Sequence, residues 1–120
     1  MKRNINLFVK DILDNIKDIE SFSKGLTKEE FDNNKLIQNA IIRSLEIIGE
    51  AVKNITDTFK KKYPKIPWKD IAGLRDILTH AYFGVNLDRV WNVIEIDLPK
   101  LKEEISKIKN PNRSKLRGIL

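Results

Sequence analysis

The sequence contains no cysteine, which excludes disulfides and thiolate metal centres. It contains one histidine, His80, and no dense acidic cluster. Nothing in it resembles a catalytic metal site built from protein ligands, so no metal and no cofactor are expected. No long apolar run is present, so neither a membrane span nor a membrane partner is expected. The opening stretch, MKRNINLFVKDIL, breaks its apolar residues with charges and lacks the hydrophobic region of a signal peptide, so the chain is expected to stay in the cytoplasm. A Gly-rich phosphate loop, a serine–histidine arrangement and internal repeats are all missing. Glycine and proline are scarce, at five and four residues.

What is present suits helices. Ile, Leu, Lys and Glu dominate, and 120 residues suffice for one modest core. A single helical domain is expected over residues 1–110, with a short basic tail, NRSKLRGIL, in 111–120. The formal net charge of +6 favours polyanions through an attraction that salt weakens.

The apolar spacing predicts a first helix from about Ile5 to Ser23, with Phe8, Ile12, Ile16, Ile19 and Phe22 as its stripe and Gly25 as its stop. Thr27 and Glu30 form a capping box ahead of a short turn carrying Phe31. A long helix is expected from about Asn34 to Lys61, its stripe running from Leu36 through Ile41, Leu45, Ile48 and Val52 to Phe59. Within it, Gly49 calls for a close helix–helix approach, because a mid-helix glycine costs about 1 kcal/mol against alanine. Arg43, Glu46 and Glu50 form a polar row, read either as a solvated ladder or as support for the motif helix. Lys60, Lys61 and Lys62 close the long helix, where its dipole favours cations. Two prolines make Tyr63–Pro67 an extended, stiff connector, and Trp68 beyond it is a core anchor. Asn86 caps a last helical section with Leu87, Val90, Trp91, Ile94 and Leu98 as its stripe. Pro99 kinks or breaks that section, and Leu101, Ile105 and Ile108 carry the pattern on. The architecture expected is all-α, an antiparallel bundle of four to five helices.

Between Trp68 and Gly84 the pattern is again helical, and this stretch concentrates the chemistry. Arg75 supplies a permanent cation with a planar fork of donors, His80 a base with a pKa near neutrality, and Tyr82 a phenol. At about 100° per residue, Arg75 and Tyr82, seven apart, are nearly in line. Asp76 and His80, four apart, are neighbours on one face, where the carboxylate can fix the imidazole tautomer. Spacing alone favours a structural set: a histidine at a helix C-terminus, an arginine paired with an acid, and a tyrosine at the edge of the core.

The ordered set Arg75-Asp76-x3-His80-x-Tyr82 resembles the R-x4-H-x-Y signature of HEPN-domain ribonucleases of the HepT type. The likeness extends upstream to Ala40–Ala51 and Ile66-Pro67-Trp68, and downstream to Tyr82–Val85, Val90-Trp91 and Asp97-Leu98-Pro99, covering roughly Asn4 to Ile108. One departure is Asp76, since asparagine often follows the arginine in the family.

The resemblance implies a HEPN-like bundle acting as a twofold homodimer, with the motif at the interface. It implies an endoribonuclease toxin of a two-gene system, with RNA as substrate. Its partner would be a cognate minimal nucleotidyltransferase antitoxin that transfers AMP onto Tyr82. Metal-free cleavage needs a base for the ribose 2′-OH, an acid for the leaving oxygen and a cation for the phosphorane. His80 suits the first or second task, Arg75 the third, and Asp76 orients His80. One chain offers one histidine, so a dimer would supply the pair. The other reading is a non-catalytic HEPN nucleotide-binding or scaffold subunit of a nucleotidyltransferase complex.

Overall fold

A computed structural model describes residues 4–79 and 86–108, and within these the side chains of all but residues 75–77 and 79. All regular structure among the described residues is helical, as the apolar spacing requires.

Helix α1 spans Ile5–Ser23. The Asn4 side chain caps it by accepting from the Asn6 N–H at 2.8 Å. Val9, Ile12, Ile16 and Ile19 form its buried face. The expected stripe was too wide, because Phe8 is half-buried and Phe22 exposed. Gly25, with φ 71°, turns the chain out of the helix in the left-handed conformation glycine adopts without strain. Helix α2, Lys28–Asp32, begins with the expected capping box. The Glu30 N–H donates to Thr27 Oγ1 at 3.1 Å, and the Thr27 N–H donates to Glu30 Oε1 at 3.0 Å. That backbone donor holds the Glu30 carboxyl below the usual carboxylate range. Phe31 is fully buried, a burial that contributes about 1.5–3 kcal/mol.

The long helix expected from Asn34 to Lys61 is two helices, α3 (Lys35–Lys53) and α4 (Asp57–Lys60). The break has a local cause. Asn54 ends α3 with its side-chain amide donating to the Glu50 carbonyl at 2.8 Å. Two residues on, the Thr56 hydroxyl accepts from the Phe59 N–H at 3.2 Å and starts a new helix. Such short polar side chains offer the backbone an alternative to continuing the ladder. At the other end, Leu36 is 80% exposed rather than part of the stripe. The inner face belongs to Ile37 and Ile41, and Leu36 lies about 100° away from Ile37. Gly49 is buried in the body of α3. Arg43, largely exposed, pairs with the half-buried Glu46 at 3.4 Å.

Helix α5 spans Trp68–Thr79. Helix α6 (Leu87–Asn92) is capped by Asn86, whose side chain accepts from the Arg89 N–H at 3.1 Å. Pro99 does not interrupt the helical run beyond α6. The chain passes from α6 through a π-helical turn, Val93–Asp97, into α7 (Leu98–Ser106). The Leu98 N–H reaches back to the Val93 carbonyl, so the wide turn accommodates the proline, which sits in the first turn of α7 without needing an N–H. The wide turn also brings Val93, absent from the expected stripe, into the core beside Ile94 and Leu98.

Helix α3 packs against both α1 and α5, and α7 closes over α1. The rings of Phe31 and Trp91, 5.3 Å apart, join α2 to α6. One apolar cluster runs through all the long helices, from Val9 and Ile41 to Leu74, Leu98 and Ile105. No described helix is long and apolar enough to cross a membrane.

Candidate active site

The motif helix is fixed at its start by an indole. Trp68 is buried, and its Nε1 donates to the carbonyl oxygens of Lys60 at 3.2 Å and Tyr63 at 3.1 Å. The connector is therefore not extended. It folds as successive turns, with the Ile66 N–H bonded to the Tyr63 carbonyl at 3.2 Å and the Trp68 N–H to the Ile66 carbonyl at 2.8 Å. Pro64 follows Tyr63 at the turn position that its fixed φ favours. The Tyr63 ring packs on Phe59 at 5.2 Å. Beyond Trp68, Leu74 and Leu78 lie four apart and buried, and Ile71 packs half-buried on the same core. These side chains hold α5 along α3.

Arg75 and Asp76 stand one and two places past Leu74 in the backbone of α5, which runs to Thr79, the residue before His80. His80 and Tyr82 lie outside the described residues, as do the tail and the expected stop at Gly84. The grouping of Arg75, Asp76, His80 and Tyr82 rests on their spacing in the sequence.

Beside α5 runs a cavity of about 580 Å³. Its apolar floor comes from Leu45 and Ile48 of α3, with Gly73 and Leu74 on one wall and Val93 and Leu101 on the other. Both signs of charge meet at its rim, where Lys65, Lys69, Arg89 and Lys100 are largely offset by Asp70, Asp97 and Glu104, so its preference for an anion is weak. Among the described residues, no group of three or more His, Asp or Glu side chains is placed to hold a metal ion.

The family model for HepT-like ribonucleases ("Ribonuclease HepT-like") matches residues 12–108. The chain belongs to the HepT-like family. Among its relatives, "Probable ribonuclease HepT" of Thermococcus cleftensis is 44% identical over 109 residues, covering 91% of this chain and 99% of that protein. "Putative RNase MJ0125" of Methanocaldococcus jannaschii is 50% identical over 107 residues, covering 89% and 92%. A third relative, "Gamma-glutamylcyclotransferase and putative RNase MJ0434" of the same organism, is 47% identical over 108 residues. The chain spans 49% of that protein's length. No solved structure matches.

The HepT-like match includes the whole of α5 and the segment after it, so Arg75, Asp76, His80 and Tyr82 fall within it. The lysines before α5 were legible only as a charge run and were assigned to the dipole of a long helix that the structure divides.

Proposed function

We propose that this HepT-like chain is a metal-independent endoribonuclease toxin, with Arg75 and His80 as its catalytic pair. The observation that carries the reading is the family match over residues 12–108, with the full R-x4-H-x-Y set inside it. The ribose 2′-OH attacks the adjacent phosphorus. One imidazole accepts its proton, the 5′-oxygen leaves and takes a proton from an acid, and the products are a 2′,3′-cyclic phosphate and a 5′-hydroxyl. The Arg75 guanidinium matches the equatorial oxygens of the phosphorane and neutralises the charge that develops there. Asp76 orients His80 from one helical turn away.

A twofold homodimer with its motif helices facing places two Arg75 and two His80 in one cleft, so one histidine serves as base and the other as acid. A cognate nucleotidyltransferase silences the site. The Tyr82 phenol oxygen attacks the α-phosphorus of ATP, pyrophosphate leaves, and the phenolic proton passes to solvent. The added phosphodiester and nucleoside occupy Arg75 and exclude RNA by bulk and by repulsion.

Expression in a bacterial host tests the reading. The chain alone should arrest growth, and His80→Ala should relieve the arrest at equal protein level. Equal growth of cells making parent or variant would contradict it.

A further inference from the structure

Between residues 57 and 70 the chain carries five lysines against two aspartates, Asp57 and Asp70. A dipole at the end of a long helix was the sequence-level account of the first three lysines. The structure removes that account, because α4 is a four-residue turn and Lys61 and Lys62 lie beyond it. Lys61, Lys62, Lys65 and Lys69 are exposed, and Lys60 is half-buried. None of the five forms an ion pair among the described residues, unlike Lys10, Lys102 and Lys107, which are bound to Asp14, Glu20 and Glu104. Against Asp57 and Asp70, the stretch keeps a surplus of three positive charges.

The backbone beneath them is held in place. The Trp68 indole bonds two connector carbonyls, one of them that of Lys60, and the Tyr63–Ile66 turn follows Lys62 and contains Lys65. Beside this turn lies an open depression of about 730 Å³, with Pro64, Pro67 and Trp68 among its apolar lining and Lys60, Lys61 and Lys69 at its edge, where Asp57 and Asp70 offset part of their charge; Lys62 and Lys65 add to the positive side along the connector. Cations bordering an apolar floor match a single strand, which presents phosphates and base faces together. Helix α5 then leads from this surface towards the motif over about 18 Å, at 1.5 Å per residue. A strand held at both ends would span several nucleotides.

We propose that the lysine-bearing connector between α4 and α5 is a phosphate-binding track for single-stranded RNA, engaging the substrate at a distance from the scissile bond. This rests on the ribonuclease reading. The track adds affinity for long strands without regard to base, since lysine meets phosphate as a point charge.

The test is fluorescence anisotropy with labelled single-stranded RNA, long enough to reach from connector to motif, in a His80→Ala background. The triple variant Lys61→Gln, Lys62→Gln, Lys65→Gln should weaken binding about tenfold and lower the slope of log affinity against log salt by about 2. The control triple Lys10→Gln, Lys102→Gln, Lys107→Gln, which removes the same charge from paired positions, should leave the slope nearly unchanged. Circular dichroism melts should show that both triples fold. Equal effects from the two triples would overturn the track, and so would an unchanged slope for the connector triple. So would a connector triple that binds RNA normally but loses the nucleotidyltransferase, since that assigns the surface to the protein. A parent that cleaves RNA yet gives equal slopes fails the track alone, whereas a parent that neither binds nor cleaves RNA fails the ribonuclease reading as well.

Discussion

Trp68 Nε1 is bonded to the carbonyl oxygens of both Lys60 and Tyr63, eight and five residues before it, so one indole fixes the connector to the start of the motif helix. Trp68→Phe keeps an aromatic ring in the core but removes the donor. Two connector carbonyls then lose one of their two partners, each keeping a backbone N–H, at a cost of about 0.5–1.5 kcal/mol. Urea unfolding should show a lowered midpoint, and hydrogen exchange should rise first at Tyr63 and Ile66. Unchanged stability would mean that the bond contributes nothing net.

Gly73 lies in the body of α5 where an added Cβ would meet no described atom within 4 Å. Gly73→Ala therefore gains helix propensity without a clash, worth about 1 kcal/mol. The melting temperature should rise by about 4 °C. A fall would place a neighbour against this face of α5, such as the second copy.

Much of the fold was legible because helices carry their boundaries in short polar side chains. Asn4, the Thr27–Glu30 pair, Asn34 and Asn86 each bond the backbone at the helix start they mark. The same signal was present in Asn54-Ile55-Thr56-Asp57, but an unbroken apolar period through Val52, Ile55 and Phe59 outweighed it. The apolar period survives a break whenever both pieces bury residues in one core. Pro99 misled in the opposite direction. Its missing N–H suggested a kink, but a π-turn just ahead absorbs the mismatch, and spacing does not reveal a five-residue turn. Leu36 was misjudged because its helical spacing matches Ala40, yet in the first turn of α3 the covering neighbours reach only Ile37 and Ile41. For the site, the residues were readable as a motif. The structure adds that Arg75 and Asp76 lie in the backbone of α5, whose Leu74 and Leu78 are buried and which packs on α3.

The composite cleft requires two chains. Sedimentation velocity at micromolar protein should show a dimer. A mixed dimer of one parent and one His80→Ala chain keeps a single imidazole in a shared cleft and should lose most of the activity, whereas two independent sites would retain about half. A monomer that cleaves RNA at the full rate would remove the shared site from the account.

Silencing through Tyr82 makes a mass prediction. Co-expression with the cognate nucleotidyltransferase should add one or more AMP units to the intact chain, located on Tyr82 by peptide mapping. Tyr82→Phe should stay unmodified and keep its toxicity. Full neutralisation of Tyr82→Phe, with no mass change on either chain, would show that the partner acts by binding rather than by group transfer.

The most direct measurement is cleavage by the purified protein, in EDTA, of two RNAs that differ only by a 2′-deoxy substitution at the cut site. The account predicts that the all-ribose strand is cut to a 2′,3′-cyclic phosphate and a 5′-hydroxyl, that the deoxy strand is intact there, and that His80→Ala and Arg75→Ala each lower the rate at least about 100-fold. Cutting at the deoxy position, products ending in 5′-phosphate, or a His80→Ala chain that cleaves at the parent rate would contradict it.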